Sequence, residues 1–302
     1  MHICDGHERH AYLIMTHDCL DELKILIQAL DWPENDIFCH IDVKAPFGED
    51  AILGMVKHAT LQCISSESVS WGGSSQVRCG LRLLETAVQS GHHMYYHMLS
   101  GVDFPVKSHN EIVDFFDVNA GKEYIQKRVG IPQKKINLRV CQYHFLQDRF
   151  VGKKRNIWKY IDFAMCYVQR AMGVNRFRGI PISYSSALWS ITEGLAKFYV
   201  DRMSEILKKY RYTYCADEVV YITELYNTSF NIENKDLRFM EYIRFDNHDV
   251  SPKNLTLDDA AKFLDGEFLF ARKFHLPESQ DLYDFLSFRH AEVDGVRRVS
   301  RL

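Results

Sequence analysis

The sequence predicts an α/β fold whose first third is a doubly wound unit of the kind that binds nucleotides. Short apolar runs, typical of buried parallel strands, occur at 11–15, 37–41, 60–64 and 94–99. Between these runs, apolar residues recur at helical spacing in the segments 20–30, 49–58 and 76–89. Because strands and helices alternate, we expect a parallel sheet with helices packed on its faces.

The ends of these elements are marked by residues that stop helices or form turns. Pro33 ends the first helix, because proline cannot continue one. A turn rich in glycine and serine at 70–75 leads into the third helix, and the fourth strand breaks at 100–105. In such sheets ligands bind at the carboxyl ends of the strands. The residues at those ends are His17, Asp42, Trp71 and Asp103.

The pattern changes near residue 119, which predicts two halves, 1–118 and 119–302, within one continuous domain. Four predicted elements follow in the second half: a strand at 122–126, a basic and aromatic-rich helix within 149–178, a strand at 182–190 and a helix at 192–208. The basic segment is typical of a helix that rests on an anionic membrane surface or grips an acidic substrate. A helix docked on the core with a solvated basic face has the same composition, so these interpretations stay open.

An acidic pair, Asp217 and Glu218, stands directly before an apolar, helix-like run at 219–225. Backbone N–H groups are unpaired at the start of a helix, and the helix dipole is positive there. Helix capping therefore explains both acids, which are common in first helical turns. The other interpretation makes Glu218 a general base, and the spacing does not decide between the two.

Composition and missing motifs exclude several classes of protein. The chain has 302 residues, of which 46% are apolar, and a formal net charge of −3, so nothing favours binding to nucleic acid. No P-loop, GxGxxG, HExxH or GxSxG motif supports a kinase, dehydrogenase, zinc protease or α/β-hydrolase. We interpret His92, His93 and His97 as ordinary strand residues rather than metal ligands.

The cysteines indicate which cellular compartment the protein occupies. The 8 cysteines are scattered without a CxxC pair, and neither a signal peptide nor a membrane-spanning apolar run is visible. Free thiols are typical of a reducing compartment. We expect a cytoplasmic protein, soluble or peripheral at the inner face of a membrane, with residues 149–178 as the contact.

Seven short motifs follow one another along the chain: YLIMTH at 12–17, HIDVKA at 40–45, VSWG at 69–72, LSGVDFPVK at 99–107, YSSALWS at 184–190, ADE at 216–218 and LFARKF at 269–274. In this order they resemble the core-2/I-branching β-1,6-N-acetylglucosaminyltransferase family, which includes protein xylosyltransferases. The resemblance implies a GT-A-like fold, in which a Rossmann-like nucleotide-binding half is fused to an acceptor-binding half. It further implies an inverting glycosyltransferase that uses a UDP-sugar.

The resemblance also implies roles for individual residues. Nine would bind the nucleotide: Met15, Thr16, His17, Asp42, Val43, Lys44, Trp71, Lys253 and Lys273. Glu218 would be the catalytic base, and Gln126, Arg139 and Tyr143 would line the acceptor side. No metal and no cofactor are implied, which suits an Asp42 that stands alone rather than in a D-x-D motif.

Elementary chemistry is consistent with these roles. Loss of a nucleoside diphosphate leaves negative charge on the leaving oxygens, and without a metal fixed cations must stabilise it. Lys253 and Lys273 are the candidates. The attacking hydroxyl needs a carboxylate to take its proton, and Glu218 would do this in a single in-line displacement. Adjacent acids diverge on a helix, which disfavours a glycosidase with two facing carboxyls.

Three positions depart from the family pattern: Ala216 replaces a frequent proline, Ser185 a frequent glycine, and Gln126 an acceptor-binding acid. The galactose-based acceptor of the animal enzymes is therefore not implied. An oligosaccharide or a lipid-linked glycan, used by a bacterial-type relative, is the expected acceptor. N-acetylglucosamine is the first expectation for the donor sugar, with xylose, glucose or galactose open. A non-catalytic module that binds a sugar nucleotide or a glycan is the alternative from another class.

Overall fold

Short strands alternate with helices in the computed structural model, which describes residues 8–130, 132–152, 156–244 and 250–300. The strands are β1 (His10–Thr16), β2 (Asn35–Ile41), β3 (Thr60–Cys63), β4 (Tyr95–Ser100), β5 (Asp103–Pro105), β6 (Glu123–Tyr124), β7 (Ser190–Thr192), β8 (Ile232–Glu233), β9 (Arg238–Met240), β10 (Tyr242–Arg244), β11 (Val250–Pro252) and β12 (Phe270–Arg272). The helices are α1 (Leu20–Ala29), α2 (Ser74–Ser90), α3 (His109–Val118), α4 (Gln133–Val140), α5 (Ile157–Ala171), α6 (Glu193–Asp201), α7 (Met203–Tyr210), α8 (Val220–Thr223), α9 (Ala261–Leu264) and α10 (Gln280–Ser300).

The central sheet has the strand order β3-β2-β1-β4-β7-β6-β8. The pairs β3–β2, β2–β1 and β1–β4 are parallel, whereas β7 runs antiparallel to both β4 and β6. Since β4 precedes residue 118 and β7 follows it, both predicted halves share this sheet. The mixed sheet, parallel from β3 through β2 and β1 to β4, confirms the predicted α/β, GT-A-like fold class.

Helices cover both faces of the sheet. Leu13 packs with α2 and α6, and its neighbour Ile14 packs with α1 and α3, because successive strand residues point to opposite faces. Burial on both faces explains why β1 and β2 are continuous apolar runs. A smaller three-stranded sheet, β5-β12-β9, packs against α10 and brings the C-terminal part of the chain to the end of β4.

Two predicted elements are wrong. The helix predicted at 49–58 is only a 3₁₀ turn at Glu49–Ala51, and Gly54 then takes a φ of +81°, which breaks helical geometry. The strand predicted at 182–190 forms only at its last residue. Its backbone bonds to other loops instead: the N–H of Ser185 donates to the carbonyl of Glu218 at 2.7 Å.

The basic segment is helical over α5 alone, and Lys153, Lys154 and Arg155 lie outside the described residues. The helix predicted at 192–208 is divided into α6 and α7 at Arg202. The seven cysteines within the described ranges are free thiols. Among the helices described, none is both long enough and apolar enough to cross a bilayer.

Candidate active site

A cavity of about 410 Å³ lies at the carboxyl ends of β1, β2 and β4 and is called the donor cavity below. The strand order reverses between β1 and β4, because β2 lies on one side of β1 and β4 on the other. The carboxyl ends of the strands at such a switch point are the usual ligand site in these sheets. Six of the nine predicted nucleotide-binding residues line it: Met15, Thr16, His17, Asp42, Lys44 and Trp71. Val43 lies beside them in the chain and is 57% exposed.

Asp42 is buried and fixes the loop that follows β2. Its Oδ1 accepts a hydrogen bond from the N–H of Lys44 at 2.8 Å, and its Oδ2 accepts one from the N–H of Val69 at 2.9 Å. The Lys44 ammonium lies 3.4 Å from Oδ2 and also donates to the carbonyl of Val69. Each carboxylate oxygen can accept a further bond. Asp42 therefore shapes the cavity and can still receive a ligand hydroxyl.

Trp71 lines the donor cavity and is 44% exposed. Its carbonyl accepts from Nε2 of Gln147 at 2.9 Å, and the Lys159 ammonium lies 5.6 Å from its ring centroid in a cation–π contact. The next residue, Gly72, has a φ of +70°, and a Cβ there would lie 3.2 Å from Sγ of Cys215. Glycine is therefore required at this turn, which presents the indole ring at the cavity.

The acidic pair occupies a 3₁₀ turn, Ala216–Glu218, which the chain enters through Cys215 at a φ of +51°. Neither carboxylate forms a side-chain cap of α8, whose N-cap residue is Val219. Capping of α8 therefore does not explain the two acids. They have different surroundings: Asp217 lines the donor cavity, whereas Glu218 lies between two arginines.

Oε1 of Glu218 lies 3.8 Å from Nη1 of Arg128, and Oε2 of Glu218 lies 3.6 Å from Nη1 of Arg139. Arg139 is fixed in turn, since it donates to the hydroxyl of Tyr184 at 2.6 Å and lies 5.4 Å from the ring centroid of Tyr214. The Glu218 side chain is 26% exposed. The arginine pair thus orients a carboxylate that a bound hydroxyl can still reach.

Asp217 has an unsatisfied oxygen at the donor cavity. Its Oδ1 is buried and has no hydrogen-bond partner in the part of the chain that the structure describes. Burial raises the pKa of this carboxyl to about 6, although backbone N–H groups and the charges of Arg128 and Arg139 lower it. A buried acceptor without a partner is costly.

Arg272, the last residue of β12, also lines the donor cavity. Its Nη1 lies 3.7 Å from the buried Asp103, which accepts from the N–H and the hydroxyl of Ser100 at the end of β4. Its Nε is buried and lacks a hydrogen-bond partner within the described ranges. The residue roles predicted from the sequence did not include Arg272, and its place beside Lys273 in the LFARKF motif is the signal that points to it.

Neither predicted phosphate-binding lysine lines the donor cavity. Nζ of Lys253 donates to both oxygens of Asp259, at 2.7 and 2.9 Å. Burial would raise the pKa of that carboxyl, but the hydrogen bonds from Lys253 and Lys262 hold it well below its usual range. Lys273 lies near Cys19, just after β1, where it opposes the burial that raises the thiol pKa to about 12. Lys253 thus compensates a buried acid, whereas Lys273 directly follows the cavity-lining Arg272 in the chain.

The acceptor-side residues are only partly brought together. A second cavity, of about 860 Å³, includes Gln126 and Arg128 and is called the acceptor cavity below. Arg128 links it to Glu218. Tyr143 lines neither cavity, because its ring packs against the guanidinium of Arg176, 4.7 Å from the ring centroid.

Potential metal ligands gather at three places among the described residues: Cys19–Glu22–His275, His40–Glu67–Cys79 and His144–Asp162–Cys166. The second group reaches the donor cavity through His40. The histidines around β4 have separate partners and do not converge: His92 bonds with Glu193, His93 with Asp36 and His97 with Ser190. Metal independence of the reaction stays a prediction.

Residues 10–262 match the family model described as Core-2/I-Branching enzyme. The chain belongs to this family. Xylosyltransferase oxt of Drosophila melanogaster is 28% identical to this branching-family chain over 158 residues, which are 51% of this chain and 18% of that protein. A human N-acetyllactosaminide beta-1,6-N-acetylglucosaminyl-transferase is 33% identical over 120 residues, 37% of this chain and 29% of that protein.

The matched parts thus cover less than a third of these two relatives. Among solved structures, the branching-family chain is distantly similar to the apo form of mouse xyloside xylosyltransferase 1. The TM-score is 0.37 and the sequence identity 8%, over 87% of this chain and 96% of that chain.

Asp217 should make the stability of this branching-family chain depend on pH. Its folded-state pKa of about 6 lies above the ordinary 3.8, so protonation favours the folded state. This stabilisation is complete below the unfolded pKa and is lost as the pH rises through about 6. Asp217→Asn should therefore raise the free energy of unfolding above pH ~7 by roughly 1 to 3 kcal/mol.

Urea unfolding of both proteins from acidic to slightly alkaline pH measures this effect. Asp201→Asn, at an exposed acid on α6, is the matched control and should leave the pH dependence unchanged. Parallel stability curves for the wild type and Asp217→Asn would contradict a buried, high-pKa carboxyl.

Proposed function

We propose that this protein transfers a sugar from a UDP-sugar to a hydroxyl of a glycan acceptor, with inversion of configuration and without a metal. The arrangement of the acidic pair carries the proposal. A single 3₁₀ turn presents Asp217 to the donor cavity and Glu218 to Arg128, which lines the acceptor cavity. A general base that acts on a bound acceptor must lie between the two substrates.

The donor cavity offers suitable groups for a UDP moiety. Trp71 supplies an exposed aromatic face for the base, beside Met15, Thr16 and His17. The free lone pairs of Asp42 suit a ribose hydroxyl. The diphosphate would lie towards Arg272, with Lys273 as the second cation.

The reaction is a single in-line displacement. An acceptor hydroxyl oxygen forms a bond to the anomeric carbon while the bond from that carbon to the UDP oxygen breaks. The proton of the hydroxyl passes to the Glu218 carboxylate, and the electron pair of the broken bond remains on UDP. Fixed cations stabilise the developing charge without reorganising, which is the role assigned to Arg272 and Lys273.

Asp217 would accept a hydrogen bond from the sugar part of the donor. Its unpaired Oδ1 lies on the same short turn as the base, so the sugar would be held next to the attacking hydroxyl. N-acetylglucosamine is our first choice of sugar, because human and mouse relatives carry that transfer in their names. Xylose is the second, from the Drosophila relative. The acceptor is an oligosaccharide or a lipid-linked glycan.

A panel of UDP-sugars scored for UDP release tests the proposal. We expect one sugar, with N-acetylglucosamine tried first, to give acceptor-stimulated UDP release that is unchanged by EDTA. Loss of release in EDTA that added manganese restores would contradict metal independence. Tight binding of UDP-sugars without release, for every acceptor glycan offered, would favour the alternative of a non-catalytic binding module.

A further inference from the structure

Helix α5 turns its apolar side away from the protein. Only Asp162 and Cys166 of its 15 residues are buried. Seven large apolar side chains, six on α5 and one on the residue that caps its C-terminus, are 38% to 76% exposed: Ile157, Trp158, Tyr160, Ile161, Tyr167, Val168 and Met172. Residues 157, 160, 161, 164 and 168 recur at helical spacing, so they form one continuous stripe, called the outer face of α5 below.

The helix is attached to the protein through Phe163, whose ring packs near Tyr214, and through polar groups. Asp162 accepts a hydrogen bond from Nδ1 of His144 at 2.6 Å and another from the N–H of Leu146 at 3.1 Å. Asn156 caps the helix by accepting from the N–H of Lys159. An ordinary surface helix buries its apolar stripe and exposes its charges. Because α5 also exposes a continuous apolar stripe while its other side is anchored, its outer face is suited to an apolar partner.

The segment that contains α5 is strongly basic. Residues 149–178 contain eight lysines and arginines, whereas Asp162 is the single acid and is buried. Arg149, Arg170 and Arg178 are exposed at the ends of α5 and of the loops that flank it. An exposed apolar stripe that includes a Tyr, on a helix within a basic segment, is the pattern of helices that lie in the headgroup region of an anionic bilayer.

We infer that the outer face of α5 docks the protein on an anionic membrane surface. A second copy of the chain fits this face less well, since a two-fold contact would bring its exposed arginines together. The inner side of α5, which carries the buried Asp162, adjoins the donor cavity, because the ammonium of Lys159 on that side lies 5.6 Å from the ring centroid of Trp71. This inference stands independently of the proposed reaction.

Flotation of the full chain with lipid vesicles tests the inference. The protein should float with vesicles of phosphatidylglycerol and phosphatidylcholine, and much less with phosphatidylcholine alone. High salt should weaken this binding, because it screens the arginines. The double variant Tyr160→Glu with Val168→Glu, which places two charges on the outer face, should lower the partition coefficient by roughly tenfold or more.

The matched control is Val118→Glu with Phe288→Glu, at apolar side chains that are 85% and 64% exposed on α3 and α10. It should bind vesicles like the wild type. Circular dichroism must show the same melting for all three proteins. Equal flotation of the α5 variant and the wild type would overturn the inference. A wild-type dimer that the α5 variant disrupts, with no vesicle binding by either protein, would overturn it in favour of self-association.

Discussion

Replacing Glu218 by glutamine is expected to lower the rate of sugar transfer by about 10²- to 10⁴-fold, the usual contribution of a general base. Glutamine keeps the size of the side chain but cannot take the proton of the attacking hydroxyl. The affinity for UDP should stay within about threefold of the wild type, because Asp217 and not Glu218 lines the donor cavity. Steady-state kinetics together with calorimetric titration of UDP measure both effects.

Glu205→Gln is the control for this variant, since Glu205 is an exposed glutamate on α7 that pairs with Arg202. Its transfer rate should equal that of the wild type. Glu218 lies close to two arginines, so its replacement also removes their shared counter-charge. Retained UDP affinity shows that the fold survives this change. An unchanged rate for Glu218→Gln would reject the base.

Replacing Arg272 by alanine is expected to weaken UDP binding by about 10- to 150-fold, which corresponds to a lost charge-assisted hydrogen bond of about 1.5 to 3 kcal/mol. The guanidinium lines the donor cavity, and its buried Nε lacks a partner among the described residues. Uridine, which carries no phosphate, should bind both proteins within about threefold. Calorimetric titrations of UDP and uridine give the two ratios.

The neighbouring cations provide the comparison for this experiment. Lys273→Ala should also weaken UDP binding more than uridine binding. Lys253→Ala should mainly lower stability. The buried carboxylate of Asp259 accepts from both Lys253 and Lys262, and the variant keeps only the bond from Lys262 of these two. Arg272→Lys differs from Arg272→Ala in that it keeps a positive charge near Asp103. Arg238 also lies near Asp103. Equal losses for UDP and uridine in Arg272→Ala would count against a phosphate contact.

The part of the site that lies at strand ends was predictable from the sequence. Runs such as β1 and β2 are apolar because both faces are buried, and the residues that follow them, His17 and Asp42, necessarily meet at one edge of the sheet. The helix predicted at 49–58 does not form, because Gly54 takes a positive φ. The apolar pattern of a sequence does not show such a backbone conformation.

The rest of the site depends on contacts between distant parts of the chain. Asp217 lines the same cavity as Leu99 and Leu188, which come from distant parts of the chain, so no local pattern distinguishes it from a capping acid. Arg128 reaches Glu218 because the preceding residue, Lys127, forms an antiparallel β-bridge with Ser185. Arg272 reaches the cavity because β12 pairs with β5 in the register that sets it opposite Asp103.

Strand β12 is the middle strand of its three-stranded sheet, yet it follows residue 262, where the family match ends. Shortened versions of the protein that stop at that boundary would leave β5 and β9 without their shared neighbour. They would also lose the guanidinium of Arg272, which lines the donor cavity. The recognisable part of this sequence is therefore smaller than the smallest piece expected to work.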